Sequence, residues 1–298
     1  TSAIVLAPGA TVSGFVVQPG ANGIDAVTTQ GSCTATETAA AVLSAAKVLG
    51  QNEIAGTSLA FVAGARQQGG CALTVRNVVF QGVATGVAST GGTLVVDACT
   101  IGRGRRGILV DPGQGGGTPF TFNAVIQATT ISGGSDTGVE VRQGYGSLFT
   151  MTGNTITQNC ATTKYGTLQH LGGGIVFVGS LPTAKLSGNR IYGNGFDQVL
   201  VASTSGAIDL SGDPNASGAQ CPDPLLVNEI TCPDGSTSPS IYGLESFGAQ
   251  VKAIGNAWSN APPSAPPDYS GGVNTGYATS QYCPISTLSL SCPAIVCP

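Results

Sequence analysis

An all-β fold of short stacked strands is predicted by three features of this sequence. Glycine recurs between short runs of alternating apolar residues, 45 glycines in 298 residues, while only 9% of the side chains are charged. The apolar runs are β-like and short, far below the ~20 residues of a membrane-spanning helix. They also superpose on one another along the chain, which is the mark of a solenoid.

The copies appear in order. Val12-Ser-Gly-Phe-Val-Val17 is followed by Gly23-Ile24, and Leu73-Thr-Val-Arg-Asn-Val-Val-Phe80 by Gly86-Val87. Leu94-Val-Val-Asp-Ala-Cys-Thr-Ile101 leads to Gly107-Ile108, and Ile126 to Ile131 leads to Gly138-Val139. Met151-Thr-Gly-Asn-Thr-Ile156 reaches Gly174-Ile175 after an insertion, Leu186-Ser-Gly-Asn-Arg-Ile191 leads to Val199, and Ala253-Ile-Gly-Asn-Ala-Trp258 is a last copy. Undisturbed copies are about 21 residues apart (80 to 101, 87 to 108). Each reads as a strand, a tight turn and a second strand, with one face apolar. One such unit cannot bury its own apolar face; stacking copies ~4.8 Å apart as parallel strands can. Seven or eight coils, a rod of roughly 35–40 Å, follow from that spacing. The glycine before the second strand fits a turn with φ > 0 or a close backbone approach. The architecture expected is a right-handed parallel β-helix.

The Gly-Asn-x-Ile turns at Gly153–Ile156 and Gly188–Ile191 resemble the repeats of the right-handed parallel β-helix superfamily, which includes pectate lyases, polygalacturonases and phage tailspikes. The opening Leu6-Ala-Pro-Gly-Ala-Thr-Val-Ser-Gly-Phe15 is similar to an interior coil of secreted bacterial proteins and lipoproteins of that group. The resemblance spans roughly residues 3–205 and extends to 250–258, and it implies the fold; one fold carries many activities.

The β-helix is expected over residues 1–260, with insertions at about 32–50, 158–173 and 211–240, and a Pro/Cys-rich C-terminal arm over 261–298. Thr34–Leu49 is alanine-rich without Gly or Pro and reads as a short helix, with Val42, Leu43, Ala46 and Leu49 on the coil wall or capping its open end. The arm opens Pro-Pro-Ser-Ala-Pro-Pro, an extended composition. The start at Thr1, directly on the strand-like Ala3-Ile-Val-Leu6, reads as processed or trimmed.

Nine cysteines without a CxxC pair, beside a single histidine, favour disulfides in an oxidising compartment over zinc. The candidates are Cys33, Cys71, Cys221, Cys232, Cys283, Cys292 and Cys297, several of them beside proline. An odd number leaves one cysteine free or joined to another molecule. A net charge of −4 gives no electrostatic footprint for nucleic acid.

The polygalacturonase-like patterns Asn-Thr-Asp, Asp-Asp and Gly-His-Gly are absent; His170 stands in Gln-His-Leu-Gly, and one histidine leaves no room for a triad. No cofactor motif and no metal site emerge; Asp209 and Asp213 offer too few oxygens for calcium. What remains is a charged cluster. In the repeat register Arg76 lies over Asp97 and Asp111 over Arg142, with Arg103, Arg105 and Arg106 in the adjoining turn and Glu140 nearby. Such a group either grips a glycan through arginine forks or simply pairs off across coils. Asn154 and Asn189 share a register and are expected to stack as an amide ladder, while the tyrosines and Trp258 read as packing rather than sugar platforms.

Low charge, few catalytic residue types and many cysteines point to an extracellular, non-catalytic protein of the bacterial surface, structural or adhesive, stacking head to tail on copies of itself. The alternative is a carbohydrate-active enzyme, a polysaccharide lyase or hydrolase, or a glycan-binding module.

Overall fold

The computed structural model describes residues 2–18, 24–30, 33, 39–50, 62–113, 121–160, 172–203, 206–212, 225–231, 242–258 and 269–274. Three parallel walls run the length of the molecule. The first has ten strands, beginning Ser2–Leu6, Asp25–Thr29 and Ala63–Gln67 and ending Asp197–Ala202, Leu244–Ser246 and Tyr269–Ser270. The second has seven, from Thr11–Ser13 to Thr183–Ser187; a separate three-stranded sheet (Ala207–Asp209, Gln250–Lys252, Val273–Asn274) continues it past a break. The third has nine, from Val16–Val17 to Asn256–Trp258. Among the described residues ten coils therefore stack, not seven or eight, a rise of about 43 Å between the first and last of them at one strand spacing per coil.

The repeat register holds along the rod. Val87, Ile108, Val139, Ile175, Val199 and Leu244 form one inward column of the first wall. Phe80, Ile101, Ile131, Ile156, Ile191 and Ile230 form the matching column of the third. Both are buried in one continuous core. The glycine that precedes the first-wall residue is demanded by close approach: a Cβ on Gly138 would lie 2.7 Å from Cγ2 of Ile156, one coil on. Near the start the register differs from the sequence reading, because Val27, not Ile24, stands in line with Ala65 and Val87.

The inserted helix is not formed in the described part of that segment. Ala41–Ser44 and Lys47–Leu49 are strands, with Leu43 and Val48 buried in the core and Lys47 turned out. Alanine is the best helix former, but the period-two alternation is satisfied by pairing with Leu73–Arg76 on one wall and Val79–Gln81 on another. Residues 34–38 lie outside the described residues. Two further coils escaped the sequence reading: one carries Asn228–Thr231, and the last carries Tyr269–Ser270 and Val273–Asn274.

Second and third walls meet at a tight turn whose first residue is left-handed at Ala45, Asn77, Ala98 and Ala128 (φ 47–54°) and then at Gly153 and Gly188 (both 63°). The next position points into the turn and forms a column: Ala46, Val78, Cys99, Thr129, Asn154, Asn189, Asn228 and Asn256, all buried. Its polar half is the expected amide ladder, and it is longer than two rungs. Asn154 Nδ2 donates to Asn189 Oδ1 (2.9 Å), Asn189 to Asn228 (2.8 Å) and Asn228 to Asn256 (2.9 Å). A second ladder at another corner joins Asn159, Asn194 and Gln198 at 3.0 and 2.8 Å.

Cys33 and Cys71 form a disulfide across a 38-residue separation. Cys160, absent from the sequence-based candidates, is also disulfide-bonded. Cys99 is a free cysteine, buried in the turn column, and burial pushes its thiol up to about 11. Cys221, Cys232, Cys283, Cys292 and Cys297 lie outside the described residues.

Candidate functional site

The charged residues singled out from the sequence divide between two walls. Asp97 ends the second-wall strand Gly92–Asp97, where it accepts from Arg76 Nε (2.8 Å) on the preceding coil and from Gln127 Nε2 (3.1 Å) on the next. It stands apart from the rest of the group.

Arg106, Asp111, Glu140 and Arg142 meet on the first wall. The strand Arg106–Val110 pairs with Val139–Arg142, so Glu140 sits beside Leu109 and points outward with it, yet it is completely buried. Arg106 reaches it from one side, Nε lying 2.8 Å from Oε2 as an ion pair without hydrogen-bond alignment. Arg142 reaches it from the other side and also contacts Asp111 Oδ2 at 3.5 Å. Asp136, equally buried, binds both Arg105 (3.3 Å) and Arg106 (3.2 Å). The sequence reading missed Asp136, although the 31-residue step from Arg105 is the same step that carries Ile108 onto Val139. Arg103 turns the chain from the third wall to the first with φ 54°. Arg105 is the most exposed of the measured arginines here, at 58% of its side chain.

Asp136 and Glu140 are each engaged by two guanidinium groups, which leaves their buried carboxyl oxygens occupied within the wall. They are not metal ligands in waiting: no group of three His, Cys, Asp or Glu suited to a metal exists among the described residues. Asp209, considered for calcium, is ion-paired to Lys252 Nζ (3.1 Å). Burial raises its carboxyl, but hydrogen bonds from Ser211 and Lys252 outweigh that and hold it below the usual range. Asp213 and His170 lie outside the described residues.

A different pair of acids is arranged otherwise. Asp197 and Glu245, on adjacent coils of the first wall, are both buried and hydrogen-bonded to each other, and Asp197 Oδ1 accepts from Tyr242 N–H (2.8 Å). Burial first, and then the Glu245 charge, push the Asp197 carboxyl up to about 9, so the pair holds a proton at neutral pH.

Parallel coils, inward aliphatic columns, corner amide ladders and charges paired from coil to coil define a β-solenoid. The right handed beta helix region model matches residues 13–213, and the chain belongs to that family. No curated protein and no solved structure matches the chain.

Proposed function

We propose that the chain is a non-catalytic extracellular scaffold of the bacterial surface, structural or adhesive, that associates end to end. The observation carrying this reading is the engagement of the cluster's acids. Asp97, Asp111, Asp136 and Glu140 are each bound by an arginine of a neighbouring coil, which leaves them as cross-coil fasteners. The Cys33–Cys71 disulfide supports an oxidising location. No helix among the described residues is long and apolar enough to cross a membrane.

End-to-end association draws on the first coil. Residues 1–24 contain no charged side chain, and strands Ser2–Leu6, Thr11–Ser13 and Val16–Val17 are the outermost described strands of their walls, with Val5 and Val16 more than half exposed. Charges that would discourage edge pairing are missing there. A contact of this face with the opposite end of another copy is heterologous and propagates. Light scattering and negative-stain microscopy of the native protein, with and without reductant, test this. Polymers are expected; discrete monomers in both conditions would remove the self-association.

A second reading, a polysaccharide lyase or hydrolase, draws on the proton-sharing Asp197–Glu245 pair, since paired carboxyls with separated affinities are the equipment of glycosyl chemistry. Against it, both carboxyls are buried. Release of reducing or unsaturated ends from acidic polysaccharides, lost in Asp197→Asn, would establish the enzyme.

A further inference from the structure

Every acidic and basic side chain of the sequence falls between Asp25 and Asp268, so both ends of it are uncharged. At the front the uncharged residues form the outermost described coil. Ser2–Leu6 pairs with Asp25–Thr29 through one edge, and its other edge meets no described strand. Ile4, Val12 and Phe15 pack against the core from this coil but are only partly buried. Val27 and Ala65, next in the column of Ile4, are fully covered. This face therefore offers a row of backbone donors and acceptors beside apolar side chains that lack a cover.

The far end of the sequence holds a segment that matches it. Residues 275–298 lie outside the described residues. Among them Ser286-Thr-Leu-Ser-Leu290 stands between Pro284 and Pro293, and polar and apolar residues alternate from Thr287 to Cys292, the period of a strand. Laid parallel on Ser2-Ala-Ile-Val-Leu6, it sets Ser286 on Ser2, Leu288 on Ile4 and Leu290 on Leu6. Both leucines then continue inward columns of the first wall, while Thr287 and Ser289 lie over Ala3 and the 60% exposed Val5. A slip of one residue would turn the leucines out to solvent, so the alternation selects this register.

Reach decides whose edge is filled. From Asn274 in the last described coil to Ser286 the chain advances by 12 residues, at most about 43 Å when fully extended. The first wall has ten strands, so a strand added outside the molecule's own Ser2–Leu6 would lie about 48 Å from the last coil. The arm is too short to fold back so far. A second copy stacked on the last coil presents the same edge within about 10 Å.

We infer that Ser286–Leu290 of one copy adds as a parallel strand to the Ser2–Leu6 edge of the next, so that the C-terminal arm is the joint of the assembly. The inference rests on the end-to-end reading proposed above and gives that association its partner segment. Parallel addition carries the hydrogen-bond ladder of the first wall across the joint and sets two leucines against Ile4 and Leu6. Arm and edge are different surfaces, so every copy added leaves one of each free and growth does not close. No charge takes part, and salt does not loosen the joint.

Light scattering, negative-stain microscopy and photo-crosslinking of the whole chain test the joint. The parent is expected to polymerise equally at low and at molar salt. Leu288→Asp combined with Leu290→Asp should reduce the mean mass to that of one chain while the thermal midpoint stays that of the parent. Thr279→Asp combined with Ser280→Asp, which puts the same charge in the arm ahead of the strand, should polymerise as the parent does. With benzoylphenylalanine in place of Val5, irradiation should join two copies through a peptide within residues 284–293; the same probe in place of Leu148, on the second wall, should not capture that peptide. Polymers of the parent's length in the Leu288→Asp, Leu290→Asp variant, or capture of another peptide at Val5, would overturn the strand and leave end-to-end association standing. A parent that stays monomeric in every condition would remove the association and the joint together.

Discussion

At the scale of single residues, the structure turns on side chains that are buried but polar. Asn189 is the clearest: it donates to Asn228, accepts from Asn154 through both backbone and side chain, and also donates to Met151 O. Asn189→Ala leaves the buried Asn154 N–H without its acceptor and removes one of the two donors to Asn228 Oδ1. A loss of about 2–4 kcal/mol is expected in chemical denaturation, more than one average hydrogen bond, because the ladder is interrupted in its middle. Asp197 gives a pH signature. Its carboxyl titrates at 3.8 when free and near 9 in the fold. Between those values the unfolded chain sheds a proton that the native chain keeps, so stability falls as pH rises through that window. Asp197→Asn retains an acceptor for Tyr242 N–H and a donor for Glu245. It is expected to flatten this slope and to be more stable than the parent at pH 8 but not at pH 4, as measured by urea denaturation at the two pH values.

At the scale of elements, the unit of construction is the contact between one coil and the next. Among the described residues, cation–anion pairs join neighbouring coils at Arg66–Asp25, Arg76–Asp97, Arg105–Asp136, Arg142–Asp111, Arg190–Glu229 and Lys252–Asp209, as well as at Arg106. The exposed ones contribute little. Arg106 differs, because it alone faces two fully buried acids. Arg106→Ala leaves Asp136 with Arg105 alone and Glu140 with Arg142 alone and should cost about 2–3 kcal/mol, whereas Arg76→Ala should cost under about 1 kcal/mol; paired unfolding curves check the contrast. These elements also show what the sequence can carry. The columns Val87–Ile108–Val139 and Ile101–Ile131–Ile156 were legible because the same strand–turn–strand pattern recurs, although its step varies, 21 and 31 residues in the first column and 30 and 25 in the second. The Arg76–Asp97 and Asp111–Arg142 pairs followed from the same repeat register, at steps of 21 and 31 residues. Ala41–Leu49 was misread because helix propensity is local and the pairing that overrides it is not. Asp136 lies the same 31 residues beyond Arg105 as Arg142 does beyond Asp111, but both Arg105 and Asp136 sit in bends between strands, where no alternation marks the register. The break in the second wall before Ala207–Asp209 depends on a sheet failing to close, which no residue pattern announces.

At the scale of the whole molecule, each coil touches only its neighbours, so stability is a sum along one dimension. The Cys33–Cys71 bridge crosses two early coils, and its closed loop of 38 residues is worth about 4 kcal/mol in chain entropy. Cys71→Ser should lower the denaturation midpoint accordingly, with the amides of residues 2–50 losing exchange protection before those of 150–258.

The corner column gives the rod a grain. Over Ala46, Val78 and Cys99 it is greasy and can slide, since dispersion has no preferred register; from Thr129 to Asn256 it is toothed, each amide locked into the next. A pull along the axis meets a soft half and a ratcheted half. With the disulfide opened, the molecule should peel from its first coils under tension and stop at Thr129, leaving a short stub that still holds its shape.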